Sequence, residues 1–165
     1  MAQRREILKW QDVDQLIDRL LGQFKETYDA MLMISTGGIV PGGLLVDAMK
    51  QQNVMIASVD FPAEMEAMKQ SRLLAWPKFL QFPPEEKLAD RKILVVDDVW
   101  GSGRTITSVK NHVAASRGIP FTCVLHFNPY RSLFGSARPD YFAEMTDAHI
   151  IYPWEIDRGM HGELM

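Results

Sequence analysis

Two adjacent carboxylates, Asp97 and Asp98, stand between an apolar run and a glycine loop in the stretch ILVVDDVWGSGRTIT, residues 93–107. The loop Gly101, Ser102, Gly103 lets the backbone turn tightly and point several N–H groups one way. Those amides fall where a following helix leaves four donors unpaired and presents the positive end of its dipole. Ser102, Thr105 and Thr107 add hydroxyl donors, and together these groups make a seat for a phosphate. The carboxylates just ahead of the seat suit ribose hydroxyls or a hard cation such as Mg²⁺. A second small-residue run, Ser35, Thr36, Gly37 and Gly38, offers another anion seat built from backbone amides. Two such seats at the ends of two parallel strands can hold two phosphate groups of one ligand.

The elements that position these groups follow from periodicity. Residues 93–96 are all apolar and rich in β-branching, which reads as a strand buried on both faces. Ile106, Val109 and Val113 share one face at helical spacing after the loop. Residues 30–34 repeat the pattern: strand, small-residue loop, then a helix carrying Leu44, Leu45, Val46, Ala48 and Met49. Residues 54–59 predict a third strand, broken by Phe61 and Pro62. Residues 121–127 predict another, ended by Asn128 and Pro129. Near the start, Asp12 is expected to cap a helix beginning at Val13, with Leu16, Ile17, Leu20, Leu21 and Phe24 along one stripe. Residues 63–84 show no clean strand period and read as a lid or binding loop, with a short helix over 64–71. Residues 130–141 form a second irregular stretch. Strands alternating with helices predict an α/β domain, a mainly parallel sheet flanked by helices, with its ligand at the carboxyl ends of the strands. The expected organisation is a single domain over residues 1–165 with a small irregular hood drawn from 63–84 and 128–155.

Composition narrows the function classes. The net charge of −3, with Lys and Arg scattered, gives no reason to expect a nucleic-acid partner. Cys123 is the one cysteine, so no internal disulfide forms, and its place in an apolar run predicts an inert, buried thiol. No apolar span reaches membrane length, and MAQRREILKW is too polar for a signal peptide, so the expected location is cytoplasmic. His126 alternates with core positions and reads as structural. Arg72, Lys78 and Arg131 read as surface charges.

The stretch VVDDVWGSGRTIT, residues 95–107, resembles the signature of the type I phosphoribosyltransferases. The loop at Ser35–Gly38 looks like that family's pyrophosphate loop. The extension IVPGGLL and the ending AHIIYPWE are similar to its xanthine–guanine and hypoxanthine branch. The resemblance implies an enzyme that moves phosphoribosyl from phosphoribosyl pyrophosphate to a purine base, with Mg²⁺, as a dimer or tetramer. It implies that Gly101, Ser102, Gly103, Arg104 and Thr105 hold the 5′-phosphate and that Ser35, Thr36, Gly37 and Gly38 hold pyrophosphate. Asp97 and Asp98 would serve catalysis and the Mg²⁺ site, and Asn128, His149 and Ile150 the base. Two positions depart from the branch, which often has an acidic residue at Gly101 and a Lys at Asn128. The resemblance therefore favours a 6-oxopurine, with adenine as its main rival. A non-catalytic sensor of phosphoribosyl pyrophosphate or a nucleotide, on the same fold, stays open beside the enzyme.

Overall fold

A computed structural model gives the fold and describes residues 2–61 and 77–156. The helix expected over 64–71, Arg72, and most of the expected lid lie outside the described residues. In chain order the elements are β1 (Arg5–Ile7), α1 (Trp10–Leu21), β2 (Ala30–Ser35), α2 (Ile39–Met49), β3 (Val54–Asp60), β4 (Lys78–Gln81), β5 (Lys92–Trp100), α3 (Arg104–Ala115), β6 (Ile119–Phe127), β7 (Tyr141–Met145), β8 (His149–Ile151) and α4 (Pro153–Ile156).

The main sheet has the order β4-β3-β2-β5-β6-β7. All its neighbours run parallel except β3 and β4. The all-apolar runs predicted as doubly buried strands fill its centre, β2 and β5, where Leu32, Leu94 and Val95 are fully buried. One face packs on α1 and α2 through Val13, Leu16, Leu20 and Leu45, and the other on α3 through Ile106, Val109 and Val113. The parallel pairing brings the ends of β2, β5 and β6 to one edge, and all three glycine or turn segments leave from there.

Several expectations are corrected. Helix α1 begins at Trp10, so Asp12 is its third residue rather than its cap. Its carboxylate accepts the Lys9 backbone N–H at 2.7 Å. Within the stretch read as irregular, residues 78–81 form β4, antiparallel to β3. Prolines flank those four residues, so no local period announces them. β5 runs through the acidic pair to Trp100 instead of ending at Val96. β7 adds a sixth strand, pinned by the Asp140 carboxylate, which accepts the Thr122 N–H at 2.7 Å and its hydroxyl at 3.0 Å. β1 and β8 make a separate two-stranded parallel sheet, pairing Arg5 with His149 and Ile7 with Ile151. Cys123 and His126 are buried, as read from sequence. Among the described residues no helix is long and apolar enough to cross a membrane.

Because Leu94 is fully buried in the core that α1 and α2 cover, truncation leaves a cavity the sheet cannot close. Leu94→Ala is expected to lower unfolding stability by about 2–5 kcal/mol, read from urea denaturation.

Candidate active site at the carboxyl edge of the sheet

The loop after β2 folds back over the end of β5. The Gly38 amide donates to Ile34 O at 2.7 Å. A Cβ on Gly38 would lie 2.2 Å from Val96 O, and one on Gly37 would lie 2.7 Å from the Asp98 carboxyl. Only residues without side chains let the loop lie this close, so the second anion seat and the acidic pair form one surface. The Ser35–Thr36 peptide at its start is cis. Thr36 is exposed, Ser35 and Gly37 half-buried.

Asp97 is buried at 8 % exposure, and Asp98 is half-buried. The Asp98 amide donates to Asp97 Oδ1 at 3.0 Å, and the Val99 amide to Asp98 Oδ1 at 2.7 Å. Burial pushes the Asp97 carboxyl well above the usual carboxylate range, with the charge of Asp98 adding to it. Burial likewise raises Asp98, to about 6, against the Val99 amide that pulls it down. Among the described residues no group of three or more His, Cys, Asp or Glu side chains gathers as a metal cage. The pair nonetheless fits Mg²⁺, which takes one or two carboxylates and completes its shell with water and substrate oxygens. A cation here would also relieve the repulsion between the two buried acids.

The glycine loop after β5 is the one expected from sequence to seat an anion. Gly103 precedes α3 with φ +80°, and a Cβ there would lie 2.2 Å from the Trp100 indole nitrogen. Trp100 is held in turn by Ser132 Oγ, 3.2 Å from its Nε1. The Ser102 hydroxyl accepts the Arg104 amide at 3.3 Å and keeps its own proton for a ligand. Thr105 stands half-buried in the first turn of α3. The Arg104 guanidinium lies over the Phe61 ring, 4.3 Å from its centre, so this residue brings its amide to the seat while its charge is turned to the ring.

A cavity of about 160 Å³ opens beside Asp98 and Gly101, and Asn128, His149 and Ile150 all line it. The three residues assigned to the base from the family resemblance therefore share one wall, drawn from β6 and β8. Ile150 also belongs to the core, at 7 % exposure. Sequence reading missed Arg131, Tyr152 and Glu155, which also line it. Arg131 read as a surface charge because nothing local ties it to the site. It is brought in by the turn in which Asn128 Oδ1 accepts the Tyr130 and Arg131 amides at 3.2 and 3.3 Å. Trp154 does not line the cavity; it stacks on Tyr152 at 4.5 Å. Lys78 sits exposed on β4, as read.

Two outcomes follow from this geometry. Gly38→Ala is expected to cost several kcal/mol, because its Cβ meets backbone, whereas Gly101→Ala, with nothing within 4 Å, stays within about 0.5 kcal/mol of wild type in urea. The raised carboxyls also set a pH dependence. A group whose folded pKa lies above its unfolded value binds its proton more tightly when folded, so its stabilisation is complete below the unfolded pKa and is lost as pH rises through the folded one. For Asp98 that window runs from its ordinary 3.8 to about 6. Without Mg²⁺, thermal stability should fall across this window, and Asp98→Asn should flatten the fall and melt higher at pH 7.5.

Comparison with known proteins agrees with the resemblance. A family model for the phosphoribosyl transferase domain matches residues 3–129. No curated protein matches the sequence. Among solved structures, a purine phosphoribosyltransferase from Pyrococcus horikoshii Ot3 is 23% identical with a TM-score of 0.76, covering 91% of this chain and 93% of that one. A Helicobacter pylori xanthine-guanine-hypoxanthine phosphoribosyltransferase is 16% identical with a TM-score of 0.75, covering 97% and 99%. A hypothetical protein from Neisseria gonorrhoeae with bound ppGpp is 20% identical with a TM-score of 0.74, covering 99% and 97%. At these identities the structures speak for the fold, and the family model, which spans most of the chain, speaks for descent: this chain belongs to the phosphoribosyl transferase domain family, a family of transferases.

Proposed function

We propose that the chain transfers phosphoribosyl from phosphoribosyl pyrophosphate to a 6-oxopurine, releasing pyrophosphate, and that residues 1–165 act as one unit. The observation that carries the choice of base is the orientation of Asn128. Its Oδ1 is taken by two backbone amides, so the group left to face the cavity is its NH₂, a donor. A donor suits the O6 acceptor of hypoxanthine, guanine or xanthine and opposes the 6-amino group of adenine.

In this reading the amides and hydroxyls at Gly101–Thr105 hold the 5′-phosphate, and Ser35–Gly38 hold pyrophosphate. Asp97 and Asp98 face the ribose, where positive charge builds as pyrophosphate departs, and their carboxylates stabilise it. Mg²⁺, held by one or both acids, would supply charge neutralisation at the pyrophosphate oxygens. The incoming ring nitrogen bonds to the anomeric carbon as the bond to pyrophosphate breaks. Its proton leaves to water or to a hood group such as His149, since Gly101 carries no side chain to take it. The absence of that acid predicts a slow enzyme, because general-base help is worth about 10²–10⁴-fold.

The same gap favours a second reading, a sensor that keeps the phosphate seats and does no chemistry. The neighbour with bound ppGpp shares the fold, and a guanine nucleotide would offer O6 to Asn128 and phosphates to the two loops.

Initial rates with hypoxanthine, guanine, xanthine, adenine, uracil and orotate at saturating phosphoribosyl pyrophosphate test the proposal. A 6-oxopurine is expected to lead. Preference for adenine or a pyrimidine would overturn the assignment of the base, and binding without any turnover would promote the sensor. Asn128→Asp removes the donor and is expected to lower kcat/KM for the best base by about 5–150-fold, the span of an unmet buried hydrogen bond of about 1–3 kcal/mol. Asp97→Asn with Asp98→Asn should weaken Mg²⁺-dependent phosphoribosyl pyrophosphate binding in calorimetry; equal affinity would remove both acids from the site.

A further inference from the structure

We propose that Tyr152 and His126 are positioning residues that lock the base-binding hood onto the acidic strand, a role that rests on the functional reading above. Tyr152 follows β8, the hood strand that carries His149 and Ile150. Its ring is 1 % exposed, and its hydroxyl donates to the backbone oxygen of Asp98 at 3.1 Å. That same hydroxyl lies 2.8 Å from Nδ1 of His126, on β6. One phenol oxygen thus joins three elements: the hood, the neighbouring strand, and the acidic motif.

The chemistry fixes each proton. A carbonyl oxygen only accepts, so the Tyr152 proton points to Asp98. The phenol oxygen must then accept, so His126 carries its proton on Nδ1. Burial supports this neutral tautomer by lowering the His126 pKa to about 4. His126 is itself 2 % exposed, and its ring edge borders a separate polar cavity of about 160 Å³ that also touches Asp12, Arg19 and Glu144. His126 is therefore the inner anchor of the joint, away from the base, and Tyr152 the part that touches the site.

The joint matters for the reaction because base and ribose sit on different elements. The base wall comes from β8 and the turn after β6, the ribose acids from β5. Transfer needs the ring nitrogen and the anomeric carbon held at near-attack distance, and displacement by an ångström costs about a hundredfold. The backbone of Asp98 is the point where the hood can be registered against the acids without blocking the carboxylates. The Tyr152 amide adds a second tie, donating to Glu155 Oε2 at 2.7 Å, which holds the residues after β8 in one bend.

Three variants test this: Tyr152→Phe, which deletes one oxygen; His126→Leu, which deletes the inner donor; and His126→Asn, whose amide nitrogen can occupy the place of Nδ1–H. Tyr152→Phe and His126→Leu are expected to lower kcat about tenfold, with KM for the base within twofold of wild type. His126→Asn is expected to recover to within threefold of wild-type kcat. A Tyr152→Phe enzyme with wild-type kcat would overturn the proposal, and so would a His126→Asn enzyme as slow as His126→Leu. Amide hydrogen exchange supplies a readout that needs no turnover. In folded Tyr152→Phe, protection should fall about tenfold over residues 98–100 and 149–152 together while β2 and α1 keep theirs. Unchanged protection would overturn the joint, and so would a loss spread evenly through the chain. If wild type neither binds phosphoribosyl pyrophosphate nor turns over a base, the functional reading fails by itself, and the exchange pattern still decides the joint.

Discussion

The burial of two neighbouring carboxylates inside the carboxyl half of the central strand is the constraint around which the rest of this molecule is arranged. Ionised acids in a low-dielectric setting are costly alone and worse as a pair. Here the offset comes from the backbone. The amides of Asp98 and Val99 each donate to a carboxylate oxygen. Among the described residues no Lys or Arg forms an ion pair with either acid. What remains is a site of unbalanced negative charge whose best partners are positive: a divalent cation, or a sugar centre that turns cationic during reaction.

Close approach of backbone is the second consequence. A seat built from amides needs backbone rather than side chains at its surface, and the two loops carry glycine at particular places for different reasons. Gly37 and Gly38 are required by contact, since a methyl would strike the Asp98 carboxyl or the carbonyls of β2 and β5. Gly103 is required by both conformation and contact, with its positive φ and the Trp100 indole beneath it. Gly101 is required by neither. It lines the cavity beside Asp98, and folding does not require its lack of a side chain.

The hood is assembled from segments with little core of their own. β1 and β8 are three residues each, and a two-stranded sheet of that size is not independently stable. It persists because Ala148, Ile150 and Tyr152 pack into the main core and because Tyr152 bonds across to β5 and β6. The turn after β6 is tied down in the same way, through the Leu133 amide on Ser102 O and Ser132 on Trp100. The turn after β6 and the glycine loop after β5 are thereby parts of one connected frame.

The sequence by itself determined the central architecture and the kind of chemistry. The runs at 30–34 and 93–96 are apolar on both faces, which only a doubly covered parallel strand accommodates, and the acids and glycines that follow at fixed spacing define anion seats wherever such strands end. Tertiary structure decided everything that depends on pairs of residues far apart in the chain. β1 and β8 pair across more than a hundred residues, and β4 exists through its antiparallel partner β3, so neither has a local period to read. Asp97 and Asp98 looked like a strand end but lie within β5, because pairing with β6 continues to Trp100. Arg131 carries no motif, and nothing local within AHIIYPWE singles out Tyr152; one enters the cavity through the Asn128 turn, the other through a hydroxyl held by Asp98 and His126. That Asn128 keeps a donor free was likewise invisible in sequence, since an amide offers both a donor and an acceptor until its neighbours occupy one of them.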